Sequence, residues 1–178
     1  MATKEVNKQL PQQFSGLDND VFSAFCDTFK GVEWTADFKD GSDVFSGIDL
    51  QLTGTTSKKV ETYDVELKSS TLHKFLPYFF FEPSKWLDLV GFDNNKKLYV
   101  AIYIYQNKIV VWNVTGNLLR RSEKTITSMN RNTSRGSEKV DKTVYKLKVA
   151  DGKVFDFDLS EYLLKYNALH NKTGNKEG

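Results

Sequence analysis

Two carboxylates and an ammonium, those of Asp49, Glu66 and Lys68, fall at spacings that bring them to one small patch. In Val44–Leu52, Ile48, Leu50 and Leu52 alternate with Asp49 and Gln51, the period of a half-buried strand. In Val60–Lys68, Tyr63, Val65 and Leu67 take one face, and Asp64, Glu66 and Lys68 the other. A hairpin closing around Ser57-Lys58 sets Asp49 opposite Glu66 and Gly47 opposite Lys68. Cβ atoms of opposed residues are about 4.5–5.5 Å apart. Acids that close repel unless a divalent cation sits between them, so metal binding is the chemistry this pattern suggests. Against it, Asp-x-Glu-x-Lys is also ordinary on a solvated sheet face. Asp64 either joins the patch or is simply exposed.

The elements that must carry the patch can be read along the chain. Residues 1–9 are polar and expected to fray. Phe14, Leu17, Val21, Phe22, Phe25, Phe29 and Val32 recur at helical spacing, with Pro11 suited to the first turn. At about 100° per residue, Asp18 sits in the middle of that apolar face, where an acid needs a partner. Alternatively the helix begins later and Asp18 caps it. Glu33–Lys39 reads as a first strand, and Asp40-Gly41-Ser42 turns into the hairpin. Past Lys68, Ser69-Ser70-Thr71 ends the strand with hydroxyls, and His73 and Lys74 follow in a loop. Phe75–Glu82 fills a core or forms a base-stacking platform. Pro83-Ser84 opens a helix through Trp86, Leu87 and Val90, stopped by Gly91. Leu98–Tyr105 and Lys108–Thr115, joined at Gln106-Asn107, complete the sheet. Residues 116–143 read as an irregular basic loop, and Val144–Val149 and Val154–Phe157 as a hairpin around Asp151-Gly152. Ser160 caps a last helix to Leu169, and 170–178 is a loose tail. The expected fold class is α/β, a single domain over 10–169 with a mixed central sheet flanked by helices.

Composition narrows the partners. No apolar run approaches the ~20 residues of a membrane span, and MATKEVNKQL has no signal-peptide core, so the expectation is a cytoplasmic protein without a membrane partner. The single cysteine, Cys26, and two distant histidines, His73 and His170, cannot build a structural zinc site. Net charge is only +2, but it is unevenly spread. Between Asp18 and Glu66 lie eleven acids against four lysines, while all four arginines, Arg120, Arg121, Arg131 and Arg135, lie within sixteen residues. An acidic region beside a basic segment suits a metal site serving a polyanion, and those arginines are the candidate nucleic-acid contacts. A solvated surface with chance clustering reads the same way.

An Asp on one strand followed by Glu-x-Lys on its hairpin partner resembles the PD-(D/E)XK nuclease superfamily, which includes restriction-type endonucleases and Holliday-junction resolvases. Its core is a helix, a three-stranded meander with the acids on the second and third strands, a helix and a further strand. That order is similar here from about Leu10 to Thr115, although Ile48 stands where the motif has proline. The resemblance implies a restriction-endonuclease-like domain and Mg²⁺- or Mn²⁺-dependent hydrolysis of DNA phosphodiesters. It implies Asp49, Glu66 and the Leu67 backbone carbonyl as metal ligands, with Asp18 as the extra acid such proteins often draw from the first helix. Lys68 would orient the attacking water or stabilise the transition state; desolvated beside metal, its pKa should fall, which leaves a base role open. Resolvases of this superfamily usually work as dimers, so a homodimer is implied too. The blocks ELKSS, FFFEPSKWLDL and KIVVWNVT also resemble small nuclease-like proteins of bacteriophages and mobile elements, which would put the protein in a host cytoplasm. Two other classes remain open: a non-catalytic nucleic-acid-binding module of the same fold, and a phage-type interaction factor with an apolar patch near Phe79–Phe81.

Overall fold

Alternating apolar side chains build a six-stranded sheet, and the hairpin sits inside it. A computed structural model describes residues 16–38, 48–83, 95–130 and 138–174. The expectations for Val44–Gly47, for the helix beyond Pro83, for Arg131 and Arg135, and for residues 1–15 and 175–178 lie outside these residues. Helix α1 (16–26) precedes β1 (Glu33–Phe38), β2 (Leu50–Thr55), β3 (Val60–Ser70) and β4 (Tyr78–Phe81). Then come β5 (Lys96–Tyr103), β6 (Lys108–Asn113), α2 (Gly116–Arg121), β7 (Glu123–Asn130), β8 (Lys139–Lys148), β9 (Lys153–Asp156) and α3 (Ser160–Gly174).

The central sheet runs β1-β2-β3-β5-β6-β9, and β4-β8-β7 form a second sheet. The meander β1-β2-β3 is antiparallel, β5 lies parallel to β3, and β6 returns antiparallel to β5. A parallel neighbour requires a long crossover, and residues 71–95 supply it. The sheet buries both faces. On one side Leu50, Val65, Leu67, Val100 and Ile102 pack under Val21, Phe22 and Phe25 of α1, with Leu163 and Tyr166 of α3 against them. On the other, Tyr99, Tyr103 and Trp112 pack under Phe81 of β4, Leu147 of β8, and Leu118 and Leu119 of α2. The fold is therefore α/β with a mixed sheet, as expected, but a second sheet with the short α2 covers the face opposite α1 and α3.

The β2–β3 register is the expected one. Leu50 pairs with Val65 and Thr55 with Val60, around a turn in which Thr56 N–H donates to Lys59 O at 2.9 Å. Gly54 is paired with Trp34, whose ring would lie 2.6 Å from any added Cβ, so close packing demands glycine there.

Three stretches depart from the sequence reading. The described parts of 116–143 are not an irregular loop: they form α2, whose first turn Thr115 caps by accepting from Leu118 N–H, and the β7–β8 pair. Nor do Val144–Val149 and Val154–Phe157 pair as a hairpin. β8 belongs to the second sheet and β9 to the edge of the central one, separated by a 3-10 turn at Val149–Asp151. Gly152 has an unremarkable φ of −102°, and an added Cβ would lie 2.8 Å from Trp112 Nε1. The Asp-Gly dipeptide marks close approach to a tryptophan, and the strands diverge around it. The last helix also continues beyond Leu169 to Gly174, so residues 170–174 are not loose tail.

Candidate active site

On one face of β3, Asp64, Glu66 and Lys68 follow one another at two-residue spacing, flanked by β2 and β5. Extending the β2–β3 register by one pair sets Asp49 opposite Glu66, and Tyr99 of β5 flanks Glu66 on the other side. Asp49 sits just before β2 and finishes its ladder: its N–H donates to Val65 O at 2.8 Å, and its Oδ2 accepts from Leu67 N–H at 2.6 Å. Glu66 is 2 % exposed, and its Oε1 lies 2.9 Å from Lys68 Nζ, whose side chain is one-third open at 34 %. Asp49, Glu66 and Lys68 are thus brought together at the end of β3. Leu67 is buried in the opposite face.

Electrostatics decide the state of the lysine. Burial pushes the Lys68 ammonium down, but the Glu66, Asp49 and Glu82 carboxylates outweigh it and hold the pKa above its ordinary value. With those carboxylates around it and no cation between them, Lys68 is a charged hydrogen-bond donor. Glu82, directly after β4, was missed in the sequence because nothing marks it beyond its place after an aromatic run. Its charge acts on Lys68 and on Tyr99, and its Oε2 takes Lys142 Nζ at 3.2 Å. Tyr99 was missed as well. Its phenol is buried beside Glu66, Glu82 and Asp49, is held well above its usual pKa first by burial and then by those charges, and donates to Phe80 O at 3.3 Å.

Asp18 lies inside α1 and does not cap it. Its Oδ1 accepts from Ser69 Oγ, so the acid on the apolar face does have a partner. Burial raises its carboxyl from the usual 3.8 to about 6, against the Ser69 hydrogen bond and the Lys68 charge. By strand alternation Ser69 faces away from Glu66 and Lys68. Asp18 therefore reaches the same end of β3 from the α1 side and does not share the Glu66 patch.

Asp64 is neither exposed nor part of the open patch. It is fully buried and ion-paired with Lys97 of β5, and accepts from Gln51 Nε2 at 3.1 Å and Asn95 Nδ2 at 3.4 Å. Arg120 donates to Asn117, and Arg121 lies 3.5 Å from Asp151, both on the exposed surface of α2. In register Glu66 pairs with Tyr99 and Tyr99 with Trp112, one residue before Asn113, so α2 starts near that row, but the side-chain contacts of the two arginines are with Asn117 and Asp151. His73 is exposed and stacks on Tyr105 with ring centroids 4.0 Å apart. Phe81 is fully buried and Phe79 packs against Tyr99, Tyr103 and Trp112, so these two rings fill the core, while the half-buried Tyr78 and Phe80 alternate to the other face of β4 and pack on each other at 5.3 Å. Burial, then Asp27, pushes the Cys26 thiol up to about 12, which removes it as a nucleophile.

Among the described residues no group of three or more His, Cys, Asp or Glu side chains converges as a metal cage would. Mg²⁺ does not require one: it keeps several waters and is commonly held by one or two carboxylates. The adjacent carboxylates of Asp49 and Glu66 are hard oxygen donors of that kind. Comparison with known proteins gave no matching family model, no matching curated protein and no matching solved structure. Among the described residues, no helix is long and apolar enough to cross a membrane.

Proposed function

We propose that this chain is a metal-dependent endonuclease of restriction-endonuclease-like fold that hydrolyses DNA phosphodiester bonds. The observation that carries the reading is the meeting of Asp49 with Glu66 and Lys68 where β2 begins beside β3. It is supported by the order of elements: α1, an antiparallel meander, and β5 parallel beside the strand that bears Glu66. Asp49 and Glu66 would hold Mg²⁺ or Mn²⁺, which supplies charge neutralisation and an acidified water. The chain's own part is positional. Lys68, kept as an ammonium by its acidic neighbours, donates hydrogen bonds to a phosphoryl oxygen or to the attacking water and offsets negative charge there. The buried Tyr99 phenol tethers β5 to β4 through Phe80 O and walls the site beneath Glu66.

One observation favours a second reading. Asp49 Oδ2 is engaged by Leu67 N–H and Glu66 Oε1 by Lys68, the arrangement a fold kept for nucleic-acid binding alone would also settle into. Cleavage of labelled linear, nicked and four-way-junction DNA, with and without Mg²⁺ or Mn²⁺, separates the two. The nuclease cuts only with metal and loses cutting in Glu66→Ala and Lys68→Ala. Binding without cutting on every substrate would leave the recognition module standing.

A further inference from the structure

The pairing of β4 ends at Phe81, and the β7–β8 ribbon runs on without it. β4 pairs with Tyr145–Lys148 of β8, whereas β7 stays paired with β8 from Glu123↔Lys146 out to Asn130↔Lys139. From Thr125↔Val144 onward, among the described residues, the two strands have only each other. At ~3.4 Å per residue this part is roughly 17–20 Å long. It leaves the body of the protein beside the candidate site, because Glu82 directly follows β4 and takes Lys142 of β8.

Strand alternation gives the ribbon two unlike faces. Val144 on one is fully buried. Lys124, Ile126 and Ser128 of β7 and Lys139, Asp141 and Thr143 of β8 share the other, and all are exposed, Ile126 at 71 %. That face continues the one from which Tyr145 and Leu147 pack toward Tyr99 and Trp112 of the central sheet. It therefore overhangs the side of the sheet on which Glu66 and Lys68 lie.

We propose that this overhanging ribbon enters the major groove of duplex DNA and presents the backbone to the candidate site. The inference rests on the nuclease reading and adds its substrate class. The B-form major groove, about 12 Å wide, admits a two-stranded β-ribbon. The deep, narrow major groove of duplex RNA does not. Single strands are held by exposed aromatic platforms, and among the described residues the one aromatic on this face is the half-buried Tyr145, already covered by Lys124 Nζ at 5.2 Å from its ring. On the exposed face itself Lys124 and Lys139 outnumber the one acid, Asp141, while Lys142 and Lys146 on the other face are paired with Glu82 and Glu123. Hydroxyls on Ser128 and Thr143 suit base edges or phosphates, and Ile126 suits a thymine methyl group.

The test is fluorescence anisotropy of the full chain without divalent metal, on a short duplex DNA, its single strand and the matching duplex RNA, at two salt concentrations. Ile126→Glu/Lys139→Glu and Ser128→Glu/Lys139→Glu change only exposed positions, and circular dichroism checks that each folds. Wild type should prefer duplex DNA, and each double variant should weaken that binding roughly tenfold and lower the salt slope by about one to two. Duplex binding unchanged in both variants overturns the inference, as does equal wild-type affinity for single strand or duplex RNA. The nuclease reading is judged separately by metal-dependent cutting. Ribbon-dependent binding without cutting keeps this inference and sinks that reading; cutting that ignores the ribbon does the reverse.

Discussion

Two acid–lysine pairs lie on one face of β3, their acids only two residues apart, and they have opposite characters. Asp64 and Lys97 of β5 are both buried, and Gln51 and Asn95 complete the carboxylate's hydrogen bonds. In the next pair Glu66 is buried but Lys68 is one-third open, and Asp49 and Glu82 add negative charge around a single ammonium. A closed pair with its partners inside the sheet holds strands together. An open pair with surplus acid suits a cation and a phosphate. Identical residue types become structure or chemistry according to which strands flank them.

The comparison breaks most visibly at the closed pair. Lys97→Ala strands a fully buried carboxylate, and urea denaturation should show a loss of about 3–5 kcal/mol. Lys68→Ala also removes a partner from a buried carboxylate, but its side chain is one-third open where that of Lys97 is closed, and it should cost less stability. If the two cost the same, the distinction drawn along β3 is wrong. For the cleavage proposed above the order inverts: Lys68→Ala should lower a metal-dependent rate by about 10²–10³-fold, the usual range for losing one positioned charge-stabilising donor. Any Lys97 variant that still folds should cut normally.

Asp18 sharpens the picture through pH. Its folded carboxyl titrates near 6, above the usual 3.8, so the native state binds more protons than the unfolded chain between those values. Stability should therefore fall as pH rises from about 4 to about 6, by roughly 1–3 kcal/mol at ~1.4 kcal/mol per unit. Asp18→Asn should flatten that part of the stability profile and raise stability at neutral pH; an unchanged profile would place the burial penalty elsewhere. The smallest effect is expected at Tyr99. Tyr99→Phe removes one hydrogen bond to Phe80 O and should cost about 1 kcal/mol, read as a small drop in thermal midpoint.

What was legible in the sequence follows the range of the interactions. Two strands of period two and a four-residue turn specify the β2–β3 register locally, so the placing of Asp49 opposite Glu66 could be read from spacing. The fate of Asp64 could not. Its partner, Lys97, is 33 residues away on a parallel strand, and no local pattern announces a crossover pairing. β7 and β8 were obscured because a ribbon exposed on one face, with Thr125 and Thr127 where strands usually carry larger apolar residues, has the composition of a loop. Asp151-Gly152 misled because glycine there serves contact with Trp112, a tertiary demand, where the dipeptide by itself signals a turn. Asp18 stood out as an acid on an apolar helix face, but Ser69, 51 residues on, decides what it does.

On this reading Glu66 is open to a divalent cation, and Asp64, two residues earlier on β3, is closed to it. Mn²⁺ titration followed by electron paramagnetic resonance tests this most directly, on wild type, Glu66→Gln and Asp64→Asn. The account predicts binding by wild type, its loss in Glu66→Gln, and its retention in Asp64→Asn if that variant folds. Wild-type protein that takes up no Mn²⁺, or Glu66→Gln that binds it undiminished, would contradict the account.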